Sequence, residues 1–415
     1  GRGLHVALTC LNFGRCTLSA GITGAAKRAA DQATKWVQTR YQFQRPLADF
    51  ELVQQRIARM YSNIYAMDAV LYMMTGMLDR GDEDIMVETA MTKVFCSQIG
   101  WEVIDDALEI MGGEGYMTEN ELERLWRDNR IHRIVEGSNE VMQPFIFGYG
   151  GKQLAEQMIS IREALSWDTD ESFGSNVSRM LGNAFRPTVM KRAIPLAMEL
   201  FMGYRPSAPR VKVNHPSLAP HAKRIEKLVQ GQAHWFKMAS KWYREEIVVR
   251  QVVQARLGDT ASFLFAMSTM LTRMDRTLTD GSIGAAEDRA YFEHAFDLLE
   301  HRINVLFTEL KDNPDKSMAA AAKAGRDRSD SLPNNDFYIH ESSPSAAGTG
   351  KTVRTDLVKQ FPAMKQGFIK DAIAQTPGKA QNTVATGATV AGDGAPNVTS
   401  ADDLSLSTPD VDPAS

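Results

Sequence analysis

The chain has 415 residues, with 47 Lys and Arg against 51 Asp and Glu, which gives a net charge of −4 at pH 7. This length is enough for two or three domains with a sizeable core. Because the charges nearly balance and no basic patch is concentrated, nucleic acid is not expected as the main partner. No run of about 18 apolar residues and no basic-then-apolar start occurs, so we expect a soluble protein without a spanning helix or leader.

Only three cysteines occur, Cys10, Cys16 and Cys96. They form no Cys-x-x-Cys pair of the kind that binds metal or cycles between thiol and disulfide. The sequence therefore predicts no metal site, and a reducing compartment is the simplest inference from cysteine usage.

Apolar residues recur with the helical period through the first 110 residues. They predict one helix whose face runs from Leu18 to Val37, a second from Leu52 to Leu78, and a third from Ile85 to Ile110. Glycines follow the second and third helices, as is common at helix ends. Long helices with short connections favour antiparallel neighbours, so we predict an all-α fold in which residues 1–150 form an antiparallel helical bundle.

Helical patterning resumes after a less regular stretch at 151–205. Apolar stripes from Ile225 to Ile247 and from Val253 to Met274 predict a second helical domain over residues 151–313. From about residue 314 the composition shifts to Ala, Ser, Thr, Gly, Pro and Asp, with few large apolar residues to offset the entropy of ordering. We therefore predict that residues 314–415 form a disordered tail.

Glu136 is the first candidate for chemistry. It follows two apolar residues, Ile134 and Val135, and precedes Gly137, which suggests a carboxylate that leaves an element end and enters a partly dry cavity. A desolvated carboxylate is suited to general-base catalysis. On pattern alone, however, a Glu before a Gly is more often a solvated helix end.

Three sequence blocks give Glu136 its context. The run Arg-Asp-Asn-Arg-Ile-His-Arg-Ile-Val-Glu-Gly-Ser-Asn-Glu at 127–140 resembles the segment of the acyl-CoA dehydrogenase family that carries the catalytic glutamate. The glycine-rich stretch at 109–116 and the Arg-Tyr-Gln-Phe at 40–43, followed by Gln54, are similar to two further family segments in the same order and spacing. The resemblance covers about residues 1–150 and implies the family's C-terminal helical bundle.

A looser resemblance extends beyond the bundle. Residues 244–278 are similar to the additional C-terminal helical domain of the very-long-chain branch and of its relative, acyl-CoA dehydrogenase family member nine. Shorter-chain members lack this domain.

The resemblance implies a reaction. Family members remove the α-proton of a fatty acyl-CoA thioester with a glutamate, pass the β-hydrogen to FAD and give a trans-2-enoyl-CoA; Glu136 matches that base. One branch carries its base immediately before the arginine that matches Arg15, but Gly14 stands there, so Glu136 is the only candidate. The residues implied in substrate binding are Asn12, Phe13, Gly14, Arg15 and Gly137.

The resemblance also implies an FAD site that is shared between the subunits of a homodimer. The implied cofactor-binding residues are Arg40, Gln42, Phe43, Gln54, Glu109, Gly112, Gly113, Ser138, Asn139 and Glu140. An arginine fork suits a diphosphate, and glycines let backbone N–H groups approach it. Glu109 departs from the family's glutamine, which exchanges an amide for a carboxylate that repels phosphate.

The sequence leaves two functions open. Family members begin with an N-terminal helical domain and a middle β-domain, and this chain opens after them, so we expect a fragment or a truncated product. The first function is the C-terminal portion of a long-chain acyl-CoA dehydrogenase of fatty acid β-oxidation, with an electron-transferring flavoprotein as electron acceptor. The alternative is a non-catalytic interaction or respiratory-complex assembly protein of the same fold. The expected compartment is the cytoplasm in a bacterium, or the matrix side of the mitochondrial inner membrane in a eukaryote.

Residues 185–202 combine apolar side chains with the basic residues Arg186, Lys191 and Arg192. This composition is typical of a segment that lies on an anionic membrane surface, as the resemblance to the very-long-chain branch also implies. The alternative is that these side chains cover the bundle, since Pro187 and Pro195 are expected to prevent one amphipathic helix.

Overall fold

The computed structural model describes residues 3–82, 84–156, 158, 187–205 and 208–331. Residues Gly1–Thr349 form one compact unit, and Gly350–Ser415 form a second unit that lies outside the described residues. All statements below concern the described part of the first unit.

The prediction of an all-α fold is confirmed. The α-helices are α1 (Gly3–Thr39), α2 (Glu51–Asp79), α3 (Met86–Met111), α4 (Gly113–Tyr116), α5 (Glu121–Asn129), α6 (Asn139–Gly150), α7 (Pro187–Met202), α8 (Ala219–Tyr243), α9 (Gln251–Asp280), α10 (Ala285–Glu309) and α11 (Asp315–Asp330). Short 3₁₀ helices lie at Leu47–Asp49, Arg130–Arg133, Pro216–Leu218 and Arg244–Val249. A two-stranded antiparallel hairpin joins β1 (Tyr41–Gln42) to β2 (Arg45–Pro46).

The three long helices predicted from the first 110 residues pack against one another. Small residues on the inner face of α1, among them Ala26, Ala29 and Ala33, are fully buried and let the helices approach closely. At Gly100 of α3, an added Cβ would lie 2.3 Å from Cγ2 of Ile22, so no larger residue fits there without a shift.

Helix α9 packs on the N-terminal bundle. It contacts α2, α3 and α6 on one side and α8 and α10 on the other. One cluster of buried apolar side chains includes Val70 and Val103 from the N-terminal helices together with Met267 and Phe296 from the later ones. The two helical segments therefore share a hydrophobic core, while the division into domains at residue 150 stays a prediction.

The prediction of disorder from residue 314 is wrong for the first part of that segment. Helix α11 covers Asp315–Asp330 and buries no side chain. Its run of alanines has a high intrinsic helix propensity, and Arg256 ties its first turn to α9 through an ion pair with Asp315 at 2.6 Å. The remainder of the predicted tail, from residue 332, lies outside the described residues.

The interpretation of the segment at 185–202 also needs a correction. Pro187 and Pro195 do not divide it, because α7 runs from Pro187 to Met202 as one helix with Pro195 inside it. Proline is tolerated in the first turn, where its missing N–H has no intrahelical partner, whereas Pro195 removes one helical hydrogen bond. No helix among the described residues is long and apolar enough to cross a membrane.

Candidate functional site

Glu136 lies in a tight turn between the 3₁₀ helix Arg130–Arg133 and the start of α6. Its φ is +59°, and Gly137 follows at +87°, so two consecutive residues adopt left-handed backbone conformations. For a residue with a Cβ this conformation costs roughly 1–2 kcal/mol. The surroundings must therefore hold Glu136 in this turn.

The carboxyl group of Glu136 lies against Gly14 of α1. A Cβ built on Gly14 would be 3.0 Å from Oε1 of Glu136 and 3.1 Å from Oε2, so a larger residue there would require the carboxyl group to shift. Oε2 is buried and has no hydrogen-bond partner among the described residues. A buried carboxylate oxygen without a partner is uncommon and marks a functional-site candidate.

Arg15 places a positive charge beside this carboxylate. Its side chain is buried, its Nε lies 3.4 Å from the backbone oxygen of Glu136 and its Nη1 donates to Oδ1 of Asn12 at 3.3 Å. Thr89 also donates to Oδ1 of Asn12, at 3.2 Å. Burial lowers the pKa of Arg15, and the neighbouring charge of Glu136 opposes this shift. Arginine remains protonated at physiological pH.

Four of the five predicted substrate residues therefore gather around Glu136: Asn12, Gly14, Arg15 and Gly137. The fifth, Phe13, precedes Gly14 in α1, and its side chain is 53% exposed. Ile134 and Val135, the two apolar residues before Glu136, are exposed.

Lys93 of α3 completes the site and was not among the predicted residues. Its side chain is fully buried, and its Nζ donates to the backbone oxygen of Gly137 at 2.8 Å and to Oδ1 of Asn139 at 2.7 Å. Asn139 in turn donates to Oγ of Ser97 at 3.0 Å. Burial lowers the pKa of Lys93 to about 8. The sequence carries one signal for this residue, namely that Lys93 falls among Ala90, Val94 and Ser97 on the buried face of α3.

The predicted cofactor residues at the start of α6 occupy different environments. Asn139 is buried and its side chain is engaged by Lys93 and Ser97, whereas Glu140 is exposed. Ser138 accepts the N–H groups of Val141 and Met142 through its backbone oxygen. A role of Ser138, Asn139 and Glu140 toward a cofactor stays a prediction.

An open cleft of about 940 Å³ lies at the other end of α1. Five predicted cofactor residues line it: Arg40, Gln42, Glu109, Gly112 and Gly113. Phe43 and Gln54 are exposed and are not among its lining residues, while the neighbouring Gln55 is. The cleft thus lies between the hairpin that follows α1 and the glycine turn that follows α3.

Positive charge dominates one wall of this cleft. Asp106 is buried and accepts from Nη1 of Arg56 and Nε of Arg59, both at 2.6 Å. Nη2 of Arg56 also lies 3.8 Å from Oε1 of Glu109. Arg40 is exposed and makes no side-chain ion pair with any described residue. Its fork is therefore available to an anionic group.

The donor set of the cleft fits the diphosphate portion of FAD. A guanidinium group without a partner among the described residues is a group that holds phosphate oxygens in proteins, whereas the N–H of Gly112 already donates to the backbone oxygens of Leu108 and Glu109. The exposed carboxylate of Glu109 opposes this fit but does not remove it, because Arg56 lies beside it.

The cleft and the Glu136 turn are far apart. The helix is continuous from Gly14, which contacts Glu136, to Trp36, which lines the cleft. These 22 residues of α1 correspond to about 33 Å at 1.5 Å per residue. Among the described residues, no group of three His, Cys, Asp or Glu side chains could hold a metal ion.

Comparison with known proteins identifies the bundle. Residues 1–147 match the family model described as acyl-CoA dehydrogenase, C-terminal domain. The very long-chain specific acyl-CoA dehydrogenase, mitochondrial, of Mus musculus is 30% identical over 281 residues, which are 68% of this chain and 40% of that protein. The probable acyl-CoA dehydrogenase FadE10 of Mycobacterium tuberculosis H37Rv is 29% identical over 333 residues, which are 76% of this chain and 48% of that protein.

The fold agrees with these matches. An acyl-CoA dehydrogenase from Bacillus anthracis, solved in complex with FAD, superposes with a TM-score of 0.58 at 23% identity, over 77% of this chain and 53% of that one. The chain spans 40% to 48% of the length of the two curated relatives above. With the sequence match, the shared fold and the three motif blocks in agreement, the chain belongs to the acyl-CoA dehydrogenase family.

Proposed function

We propose that this chain is the C-terminal portion of an FAD-dependent enzyme that dehydrogenates long-chain acyl-CoA thioesters between Cα and Cβ, with Glu136 as the general base. The observation that carries the proposal is the carboxylate of Glu136, seated against Gly14 with Oε2 buried and without a hydrogen-bond partner among the described residues. A base needs an oxygen that is free to accept a proton, and Oε2 has no hydrogen-bond partner among the described residues.

The residues around Glu136 prepare it for proton transfer. Arg15 places its positive charge beside the Glu136 turn, with its Nε 3.4 Å from the backbone oxygen of Glu136. Gly14 leaves room for the carboxyl group and keeps bulkier atoms away from it. The left-handed turn at Glu136 and Gly137 directs the side chain away from α6 toward α1. Such preorganisation reduces the reorganisation needed during the reaction.

The FAD of the proposed enzyme would be held in part by the cleft residues Arg40, Gln42, Gly112 and Gly113. When bound, FAD supplies the acceptor for the β-hydrogen that leaves the substrate as the α-proton is removed. The cleft residues contribute positive charge toward the diphosphate and take no part in proton transfer.

The separation of about 33 Å along α1 supports a homodimer. One flavin near Glu136 of a protomer is too distant from that protomer's own cleft, so the cleft of a partner subunit would complete each site. An electron-transferring flavoprotein is the proposed electron acceptor. The similarity to a mammalian enzyme named for very-long-chain substrates supports the choice of long-chain acyl-CoA.

The proposal is tested with the longest natural polypeptide that contains this sequence. Glu136→Gln keeps the shape of the side chain and removes its basicity, so turnover of acyl-CoA with an artificial electron acceptor should fall by about 10²–10⁴-fold or more while FAD stays bound. Glu119→Gln, at an exposed position nearby in sequence, is the matched control and should leave turnover unchanged. Turnover of Glu136→Gln near that of the wild type at saturating acyl-CoA would rule out Glu136 as the base.

The alternative is a non-catalytic interaction protein, for instance in respiratory-complex assembly. It is supported by apolar side chains that are exposed next to the site: Phe13, Ile131, Ile134, Val135 and Val141. In the proposed enzyme these would be covered by further domains. The sequence upstream of Gly1 discriminates the two, because only the enzyme requires those domains.

Helix α7 supports an additional contact with a membrane surface. Its exposed side chains include Met190, Ile194, Phe201 and Met202, with Lys191 exposed beside them. The side chains of Arg186 and Arg192 lie outside the described set. The test is co-sedimentation with liposomes with and without anionic lipid. Pelleting that persists unchanged after replacement of Arg186, Lys191 and Arg192 by Gln would contradict an electrostatic contact.

A further inference from the structure

Lys93 places a buried ammonium group against the end of the turn that carries Glu136. Burial of an ammonium group is costly unless it is hydrogen-bonded. Nζ donates to the backbone oxygen of Gly137 and to Oδ1 of Asn139, which flank the end of that turn. The energetic cost of placing a lysine here is therefore offset by contacts to one short segment.

Two cations hold two successive carbonyl groups of this segment. Arg15 approaches the backbone oxygen of Glu136 at 3.4 Å, and Lys93 donates to the backbone oxygen of Gly137 at 2.8 Å. On the opposite side Met142 packs against Gly137, where an added Cβ would lie 2.8 Å from its Cε. Both carbonyl groups belong to residues in left-handed conformations. Such conformations persist only where the surroundings over-determine them.

We propose that Lys93 is a positioning residue that fixes the Glu136–Gly137 turn and thereby keeps the carboxylate of Glu136 against Gly14. The hydrogen bonds of Lys93 go to the backbone oxygen of Gly137 and to Asn139, so it acts on the carboxylate through the backbone that carries it. The consequence for catalysis rests on the proposed function, whereas the consequence for the turn does not.

The hydrogen-bond geometry indicates a positional role. A lysine side chain has three donors when charged and two when neutral, and two acceptors are present. Both bonds can therefore be made in either protonation state. Ser97 extends the support, because it holds the amide of Asn139 that Lys93 also contacts. Three side chains, Lys93 and Ser97 from α3 and Asn139 from α6, thus form one network with the backbone oxygen of Gly137 in the turn.

The turn is tested by amide hydrogen exchange on the full chain, with the segment at 134–142 compared with the rest of the protein. Lys93→Met keeps the length and apolar stem of the side chain but removes both of its hydrogen bonds, to Gly137 and to Asn139. Loss of bonds from a charged donor should increase exchange in this segment by about tenfold or more. Lys35→Met, at an exposed position of α1, should leave exchange unchanged.

A folded Lys93→Met with unchanged exchange at 134–142, or with exchange raised equally throughout, overturns the proposal. If Lys93→Met does not fold, Ser97→Ala decides, since it weakens the same network through Asn139. A selective rise at 134–142 then supports the proposal, and its absence overturns it.

Catalysis adds a second readout in the longest natural polypeptide. Lys93→Met should lower kcat by about 10–100-fold with little change of KM, because misplacement of a catalytic group affects the reacting geometry. In a Glu136→Gln background the same substitution should have almost no further effect on kcat. An additive loss of kcat in the double variant would mean that Lys93 does not act through Glu136. Inactivity of the wild type would count against the proposed function, and the hydrogen-exchange result would then decide the proposal for the turn.

Discussion

The two ends of α1 present opposite kinds of site. At the first, Gly14 and Arg15 enclose the Glu136 turn, the key carboxylate oxygen is buried, and Lys93 is fully enclosed. At the second, the cleft that is lined by Arg40 is open, and its arginine and Gln42 are exposed. The first site is built from helices of one chain, whereas the second presents charge and backbone groups toward a space that this chain does not fill.

On the proposed function, this difference follows from what each end has to do. A base must be held within a fraction of an ångström of its working position, which requires close packing and fixed hydrogen bonds. A cofactor site that is completed by another surface must stay open until that surface arrives. Substitutions at the two ends should therefore fail in different ways, and the following four sharpen the contrast.

The largest effect is expected at Gly14. In Gly14→Ala the new Cβ would lie 3.0 Å from Oε1 of Glu136, so the carboxyl group must move. Turnover in the longest natural polypeptide should fall by about 10²-fold, while the melting temperature should hold or rise because alanine favours a helix over glycine by up to about 1 kcal/mol. Gly24→Ala, which has open space around it, is the control and should keep full turnover. Parallel loss of stability and turnover in Gly14→Ala would contradict the packing argument.

At the open end, Arg40→Gln should weaken FAD binding without altering the fold. Loss of a charged hydrogen bond to a diphosphate is worth about 1.5–3 kcal/mol, or roughly a 10–100-fold rise in Kd. Fluorimetric titration of the apoprotein measures it, with Arg124→Gln on the exposed face of α5 as the control. An unchanged Kd would place the diphosphate elsewhere.

The contact between α9 and α6, near the Glu136 site, should make the free energy of unfolding depend on pH. Oδ1 of Asp259 in α9 accepts a hydrogen bond from the side chain of Gln143 in α6. Burial raises the pKa of Asp259 to about 6. Between about pH 4 and 6 the folded state therefore binds the proton more tightly than the unfolded state, and the free energy of unfolding falls as pH rises through this window. Asp259→Asn keeps an acceptor for Gln143 and should remove that fall, with a gain of about 1 kcal/mol at pH 7 after allowance for partial exposure.

Urea unfolding at pH 4.5 and pH 7, compared among wild type, Asp259→Asn and the exposed-site control Asp312→Asn, measures this effect. The same pH dependence in wild type and Asp259→Asn would show that Asp259 is solvated like an ordinary surface carboxylate.

The smallest effect is expected at Glu109. Glu109→Gln removes an anion from the cleft and should tighten FAD binding by up to about 1 kcal/mol, or fivefold. The effect is small because the side chain is 65% exposed and lies near Arg56 already. Fluorimetric titration of the variant and wild-type apoproteins with FAD measures this change in affinity. An unchanged or weaker affinity would mean that Glu109 points away from the cofactor.

Helix positions could be predicted because burial of one face leaves a period in the sequence. This period predicts the three long helices of the N-terminal bundle and two of the later ones. The meeting of Gly14 with Glu136 could be anticipated only through the family resemblance, since the residues are far apart in sequence and their contact depends on how α1 packs. The structure supports that anticipation by direct contact.

Lys93 could not be predicted because a lysine in a helix is ordinarily read as solvated. Its burial depends on acceptors at Gly137 and Asn139, which approach it only when the turn is folded. The continuity of α7 through Pro195 and the helicity of α11 were missed for related reasons. In both segments the expectation weighed a single local feature, a proline or the lack of large apolar residues, against helix formation.

The length of α1 has a consequence for mixed assemblies. On the proposed arrangement, Glu136→Gln spoils the base end of its own subunit and Arg40→Gln spoils the cleft that serves the other. A dimer with one subunit of each kind therefore contains one site with both defects and one with neither. At an FAD concentration too low to load the Arg40→Gln cleft, random association of the two defective proteins should then restore about a quarter of the native sites, a recovery that a site confined to one chain could never show.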